Sequence, residues 1–449
     1  MGKRAMIWFL ILTIGLCLLV PILTAVLPPQ PLRANETAVA WPQLVTAGRC
    51  NLDFFTDLSD WYASSFAFRH EAITADSLLR TGLFGSSSSE DVVVGRNGWL
   101  FYASSLPDYR GERVMTEREL QRAASTLALL QEGAAEAGME FLFFAVPNKN
   151  TIYPEYMPVT ELQGTAHTMP ALYAVLSSRC VNALDLTSVL SDTGETVYHR
   201  TDSHWNHLGA ALAQRAIMAA LGRDGADFTV LPYETREDFT GDLWAMVYPA
   251  LDGRDSQQYY DMGPIMETGA PEDLRYETFC QEGKDVLFLY RDSFGNALCP
   301  FLAAAFREGY FSRSSVWDLN DAAEVGADVF AVEIVERNLS NLLTNAPVMT
   351  APVREDVTAT GEIETAVTAS SWIDGDWRVI EGSFSPAVID TCSPIYVRAE
   401  GVVYEAFPAG SGEDEVFTLR IPAAAPADMI AVLYAAHGKI VATHEIPVS

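Results

Sequence analysis

Thr201-Asp202-Ser203-His204-Trp205-Asn206 brings an acid, an imidazole and a capping amide together within six residues. An apolar helical pattern follows at once over residues 207–221, with Leu208, Leu212, Ile217 and Leu221 along one side. Asn206 is placed to cap that helix, and Gly222 stands where a left-handed C-terminal residue belongs. Asp202 and His204 therefore fall in a loop whose shape the helix fixes. Loops held in this way carry function more often than element interiors do. A second stretch, Arg291-Asp292-Ser293-Phe294-Gly295-Asn296, follows the apolar run 286–290 and puts a serine at an expected strand-to-helix turn. A serine hydroxyl attacks a carbonyl usefully only when a base takes its proton and a third group holds that base. Ser293, His204 and Asp202 have the chemistry for those three roles, although Ser293 could equally be a helix N-cap.

Outward from these two stretches, helical and strand patterns alternate. Residues 116–138 read as a helix opened by a Thr116/Glu119 capping box. Residues 140–146 (EFLFFAV) read as a buried strand that ends in the polar loop Pro147-Asn148-Lys149-Asn150. A further helix (171–178) and strand (181–186) follow, and residues 286–290, 316–319 and 329–335 read as later strands. A helix is expected over 294–307, interrupted near Pro300. This alternation predicts an α/β fold with a parallel sheet covered on both faces, and ligands bind such sheets at the strands' carboxyl ends. Asn148 and Asn296 are thus candidate oxyanion donors beside the serine's own N–H. The stretch 224–283, rich in Gly, Asp and aromatics, is expected to wall or cover the site. Asn97-Gly98 between apolar runs predicts a hairpin, and residues 52–79 read as one helix packed on the body.

The ends of the chain differ in texture. Lys3 and Arg4 precede an uncharged apolar run over residues 6–27, long enough to span a bilayer, with the positive flank kept inside. We read residues 1–28 as a transmembrane signal anchor, in preference to a cleaved signal peptide, and 29–51 as a stalk. Residues 52–350 make the α/β body, outside the cytoplasm. Residues 351–449 carry short β-type runs punctuated by glycines and read as a β-sandwich-like domain. A formal charge of −30 over 449 residues argues against nucleic-acid binding. Six scattered cysteines form no CxxC, so neither a zinc cluster nor a disulfide scaffold is indicated.

His199, Asp202, His204 and His207 raise a metal site as an alternative, but their spacing matches no common ligand set and no metal or other cofactor is expected. His207 reads as an exposed first-turn residue. Trp205 reads chiefly as a packing wedge, with stacking on a sugar ring as the functional option. Arg337 could bind an anionic group, or pair with Glu333 or Glu336, and pairing is favoured.

Five blocks in one order carry a family resemblance: Gly95-Arg96-Asn97-Gly98-Trp99-Leu100-Phe101, Val146-Pro147-Asn148-Lys149, the stretch from Tyr198 to Asn206, Arg291-Asp292-Ser293-Phe294-Gly295, and Val332-Glu333-Ile334-Val335-Glu336-Arg337. In these the chain resembles the DHHW family of bacterial surface proteins, itself similar to the SGNH-hydrolase-like proteins of alginate O-acetylation. The resemblance implies a three-layer α/β/α SGNH-hydrolase-like fold with the triad on Asp202, His204 and Ser293. It implies acetyl transfer to, or acetyl-ester hydrolysis on, an exported or cell-surface polysaccharide. A membrane-bound O-acyltransferase is the implied acetyl donor. Arg291, a further candidate for oxyanion or substrate contact, stands where most SGNH enzymes have glycine, and Ser203 where the family motif has histidine. The rival expectation is a non-catalytic body that binds polysaccharide or scaffolds an assembly.

Overall fold

The computed structural model describes residues 3–33, 36–46, 48–410, 412 and 414–448. Helix α1 (Lys3–Val26) contains the apolar segment Met6–Val26, which is long and apolar enough to cross a membrane and whose most apolar stretch holds no buried residue. Residues 52–79 form two helices where one was expected: α2 (Phe54–Ser65) and the first part of α3 (Arg69–Phe84). The break falls at Phe68, whose left-handed backbone (φ 63°) cannot continue a helix. The expected stalk is tied down rather than free. Gln30 Nε2 donates to Glu71 Oε2 (2.7 Å), the His70 N–H donates to Gln30 Oε1 (3.2 Å), and Glu36 meets both Arg69 and His70.

Strands β1 (Val92–Val94) and β2 (Leu100–Tyr102) make the expected hairpin, with Asn97 and Gly98 both at positive φ. Helix α4 (Glu117–Glu136) opens on the Thr116/Glu119 capping box, each side chain accepting from the other's backbone N–H. Next come β3 (Glu140–Val146), α5 (Thr168–Ser178), β4 (Ala183–Asp185) and α6 (His207–Ala220). The stretch 224–283, expected to wall or cover the site, is built from regular elements. It holds the hairpin β5 (Tyr233–Phe239) and β6 (Asp255–Tyr260), the short helix α7 (Asp242–Val247) between them, and strands β7 (Met266–Thr268) and β8 (Arg275–Phe279). The body closes with β9 (Lys284–Tyr290), α8 (Gly295–Ala303), β10 (Phe306–Ser312), α9 (Leu319–Glu324) and β11 (Val329–Val335).

The central sheet runs β4-β3-β11-β9-β10-β8-β7. Its first five strands are mutually parallel, as predicted, but β8 and β7 add antiparallel at one edge, so the sheet is mixed. In β8, only Tyr276 and Thr278 turn inward while Arg275, Glu277 and Phe279 face out. Such one-sided burial suits an antiparallel strand, with one face on the core and one in solvent. Two other readings are corrected. Residues 316–319 form no strand, because Asp318 accepts from the Asn320 N–H and starts α9. Arg307 lies not in a helix but in β10, because α8 ends at Ala303 and the chain then pairs between β9 and β8.

Alternation along β3 separates two cores. Leu142, Phe144 and Val146 pack with α6 and α8 on one face, while Phe141, Phe143 and Ala145 pack with α4 and α5 on the other. Burying a Phe or Leu side chain stabilises by about 1.5–3 kcal/mol, so these two layers of large side chains hold the sheet and fix its carboxyl rim. C-terminal to the body lie β12 (Val367–Asp374), β13 (Trp377–Phe384), β14 (Ile395–Ala399), β15 (Val402–Pro408), β16 (Glu415–Pro422), β17 (Met429–Ala436) and β18 (Lys439–Thr443). Within this all-β region, β15 joins two halves. Its residues 402–406 pair with β14, and Phe407 and Pro408 pair with β16. This module is bolted to α4. Arg354 bridges Glu132 (2.6 Å) and Glu405 (2.7 Å), Arg118 Nε meets Glu415 (2.9 Å), and Phe407 enters the core beneath α4.

Candidate active site

Two loops at the rim carry the chemistry, and each is held by its own short-range bonds. Asn206 Oδ1 accepts from the Gly209 N–H (3.0 Å), so α6 starts where predicted and the 201–205 loop is anchored behind it. After β9, Asp292 Oδ1 accepts from the Phe294 N–H (2.8 Å) and Oδ2 from the Val335 N–H (2.8 Å), stitching the serine's turn to β11. Phe294, not Ser293, is the N-cap residue of α8, and no side chain caps it. The Ser293 hydroxyl instead lies 2.8 Å from His204 Nε2, and His204 Nδ1 lies 2.7 Å from Asp202 Oδ1. Trp205 locks this pairing, its indole N–H donating to the Phe294 carbonyl at 3.0 Å and linking the histidine's loop to the serine's.

The electrostatics follow from burial and charge. Burial alone would raise Asp202, but the hydrogen bond and charge of His204, with the Asp242 N–H, hold it well below the usual carboxylate range. Burial pulls His204 down, and the Asp202 hydrogen bond together with the charges of Asp202 and Asp242 outweighs it. The imidazole therefore stands above its ordinary value. With Nδ1–H facing Asp202, the Nε2 lone pair is the acceptor for the Ser293 proton.

The remaining candidates differ in how free their polar groups are. Asn148 is buried at the end of β3, its Nδ2 donating to Asp108 Oδ2 (3.3 Å) and its N–H to Glu336 Oε2 (2.8 Å). Asn296 is half-buried and accepts from Arg291 Nη1 through Oδ1 (2.6 Å), which leaves its amide Nδ2 for a ligand. Arg291 is not available to a substrate. It is buried and spends its guanidinium on the Asp273, Pro271 and Asp292 carbonyls and on Asn296, folded under Gly295, where any Cβ would sit 2.6 Å from its Cδ. Trp205 is buried as well, so it is a wedge and cannot stack on a sugar. Arg337 does not pair with Glu333 or Glu336; it lies over the rings of Tyr102 (5.4 Å) and Phe294 (5.5 Å), close enough to act on His204.

The histidine cluster does not converge on one point. His199 stacks on Phe239 (centroids 3.9 Å) and is pulled down to about 4 by burial. His207, half-buried rather than exposed, holds the Gln258 carbonyl through Nδ1 (2.6 Å). The groups that do converge are Asp202, His204 and Asp242, with ligand atoms within 4.8 Å of one another. Their lone pairs are already used: Asp202 accepts from the N–H and Nδ1 of His204 and from the Asp242 N–H, and Asp242 accepts from the Ser203 N–H (2.8 Å) and hydroxyl (2.6 Å).

Two residues of this site were missed from sequence. Asp242 comes from α7 inside the expected cover and stands 3.8 Å from His204 Nδ1; no spacing relates it to residues 40 positions earlier. Lys149 is buried, with Nζ donating to the carbonyls of Leu100 (2.6 Å), Arg200 (2.9 Å) and Asp202 (2.9 Å) over the Trp99 and Phe101 rings. The one available signal was a lysine placed directly after the rim asparagine of a buried strand.

Helices on both faces of a largely parallel sheet, with a serine–histidine–aspartate chain on the carboxyl rim, define an SGNH hydrolase-like domain. Residues 92–265 match the family model described as the SGNH hydrolase-like domain of acetyltransferase AlgX. The match includes Asn148, Asp202, His204 and Asp242 and ends before Ser293. Among solved structures, the chain is similar to a DHHW family protein from Eubacterium siraeum (16% identity, 58% of this chain and 99% of that one, TM-score 0.41). It is also similar to the O-acetyltransferase domain of Pseudomonas putida AlgJ (20%, 55% and 91%, 0.38). A third is Bacillus cereus PatB1 (15%, 55% and 96%, 0.42). At TM-scores below 0.5 these likenesses transfer nothing to this chain. No curated protein matches its sequence.

Proposed function

We propose that the protein is an extracytoplasmic O-acetyltransferase or acetylesterase acting on cell-surface or exported polysaccharide, anchored by α1. The observation that carries the reading is the continuous chain from Ser293 Oγ through His204 to Asp202, at 2.8 and 2.7 Å. His204 Nε2 takes the Ser293 proton as Oγ bonds to the acetyl carbonyl carbon of a donor ester. The tetrahedral oxyanion is met by the Ser293 N–H and the free amide of Asn296. As the donor's C–O bond breaks, His204 returns the proton to the leaving oxygen, and an acetyl-serine remains. A sugar hydroxyl, or water, then gives its proton to His204 and attacks the acetyl carbon; as the acetyl–Oγ bond breaks, His204 returns that proton to Ser293 Oγ and the acetylated sugar, or acetate, leaves. Asp202 stabilises the imidazolium at each step. No step is routed through a metal, and the carboxylate oxygens of Asp202 and Asp242 already accept from N–H and O–H groups.

The description of the matched family, an acetyltransferase, favours the acetyl group. A membrane-bound O-acyltransferase is the donor we propose, since α1 would keep both proteins on one membrane. Arg337, held over two rings beside His204, is proposed to meet an anionic group of the glycan. The test is turnover of an acetyl-ester reporter by the full chain, with intact-mass detection of an adduct of one acetyl group. Turnover and adduct in wild type but not in Ser293→Ala support the reading. A folded protein with neither would leave a polysaccharide-binding body in its place.

A further inference from the structure

We infer that the outward face of helix α3 rests in the interfacial layer of the lipid bilayer; this depends on α1 being a membrane anchor, as proposed above. The helix is amphipathic in the reverse sense for a surface helix of a soluble body. Its buried side is polar: His70, Thr74 and Ser77 are 6, 5 and 0% exposed and recur at helical spacing. That side is held by hydrogen bonds, the Ala250 N–H donating to Thr74 Oγ1 (3.0 Å) and Tyr248 Oη to Thr81 Oγ1 (3.1 Å). The solvent side carries Leu78, Leu79, Leu83 and Phe84, which are 54, 62, 71 and 78% exposed. Four large apolar side chains within seven residues of one helix are more than the scattered exposure of an ordinary surface.

The place of α3 along the chain says what covers this face. Thr24, in the last turn of α1, accepts from the Ala67 N–H (2.9 Å), two residues before α3 begins. Gln30 then binds both the His70 N–H and Glu71 in the first turn of α3. The helix therefore starts within hydrogen-bond reach of the point where the span leaves the membrane. Its polar side is fastened to the body, so the apolar side is left for the lipid boundary, where amphipathic helices bury such faces. Asp76 and Arg80 also face outward from α3, about half exposed, but they neutralise each other as an ion pair (2.7 Å), so no cluster of lysine or arginine is involved and the contact is chiefly apolar.

The experiment uses the full chain in phosphatidylcholine vesicles, labelled in one arm by a lipid-soluble diazirine and in the other by hydroxyl radicals from water, with labels mapped by mass spectrometry. The expected result is diazirine labelling of α1 and of Leu78, Leu79, Leu83 and Phe84. Val159 and Leu162, 81 and 78% exposed on the body, should take up radicals only. Leu79→Glu combined with Leu83→Glu should melt like wild type and drop α3 labelling to the level of Val159, with α1 unchanged. Labelled α1 with α3 marked from water, or marked by neither probe as under a protein partner or second copy, overturns the inference alone. Unlabelled α1 overturns the anchor reading and this inference with it. Equal α3 labelling in the double variant and wild type also overturns it.

Discussion

The backbone N–H of Asp242 donates to Asp202 Oδ2 at 2.7 Å, so helix α7 holds the acid of the proposed triad from behind. The approach is close because residue 241 is glycine: a Cβ there would lie 2.2 Å from the Thr201 carbonyl oxygen. Gly241→Ala should therefore lower both the melting temperature and acetyl-ester turnover. Asp242→Asn keeps the backbone bond but removes a negative charge that raises His204. The acid limb of its kcat/KM profile should move to lower pH, with the melting temperature close to wild type. An unmoved limb would show that Asp242 does not act on the imidazole.

Ser293→Ala should abolish the acetyl adduct and cut turnover by at least about a thousandfold, the scale of losing a nucleophile. Its hydroxyl caps no helix, so the melting temperature should hold. A variant that turns over like wild type would remove Ser293 from the reaction.

The pH dependence has a definite sign. His204 works as a base only when neutral, and its folded value lies above the ordinary imidazole range, so activity should rise through and above about pH 6.5. Stability runs the other way. What His204 gains from Asp202 is fully present below about pH 6.5 and is lost as pH rises through the folded value. Asp202, held low, contributes stability above about pH 3.9 and loses it as pH falls through its folded value. Asp202→Asn should cut kcat by about 10⁴ with the fold kept. Rate profiles and melts at matched pH check both directions.

Lys149→Met should be costly away from any reacting atom. It removes the donor shared by the carbonyls of Leu100, Arg200 and Asp202; Arg200 still accepts from the Leu100 N–H (2.8 Å), but the buried Leu100 and Asp202 carbonyls lose the ammonium, at about 1–3 kcal/mol for each unsatisfied group. Denaturant melts should show a loss of at least about 2 kcal/mol. Turnover should also fall, because the Asp202 carbonyl loses its tie to β2 and only the Leu100 N–H to Arg200 bond still holds that loop there. A melt equal to wild type would show that the ammonium does not hold this loop.

The capping box at Thr116, the Asn97-Gly98 hairpin and the start of α6 at Asn206 could all be read from the chain alone. Each rests on hydrogen bonds or backbone angles within a few residues, so its cause is local. The buried strands β3, β9 and β11 were legible for a related reason, since burial on both faces leaves an unbroken apolar run. What tertiary structure decided is everything that depends on which neighbour a segment meets. Phe306–Ser312 carries Arg307, Glu308 and Gly309 and looks like no strand, but β9 and β8 flank it and take its backbone bonds. Arg337 exchanged an expected carboxylate for two aromatic faces. Asp242, 40 residues beyond Asp202, reaches it only because a hairpin folds α7 over the rim. Sequence carries the residues able to do chemistry; their distances are set by long-range packing, which no local pattern encodes.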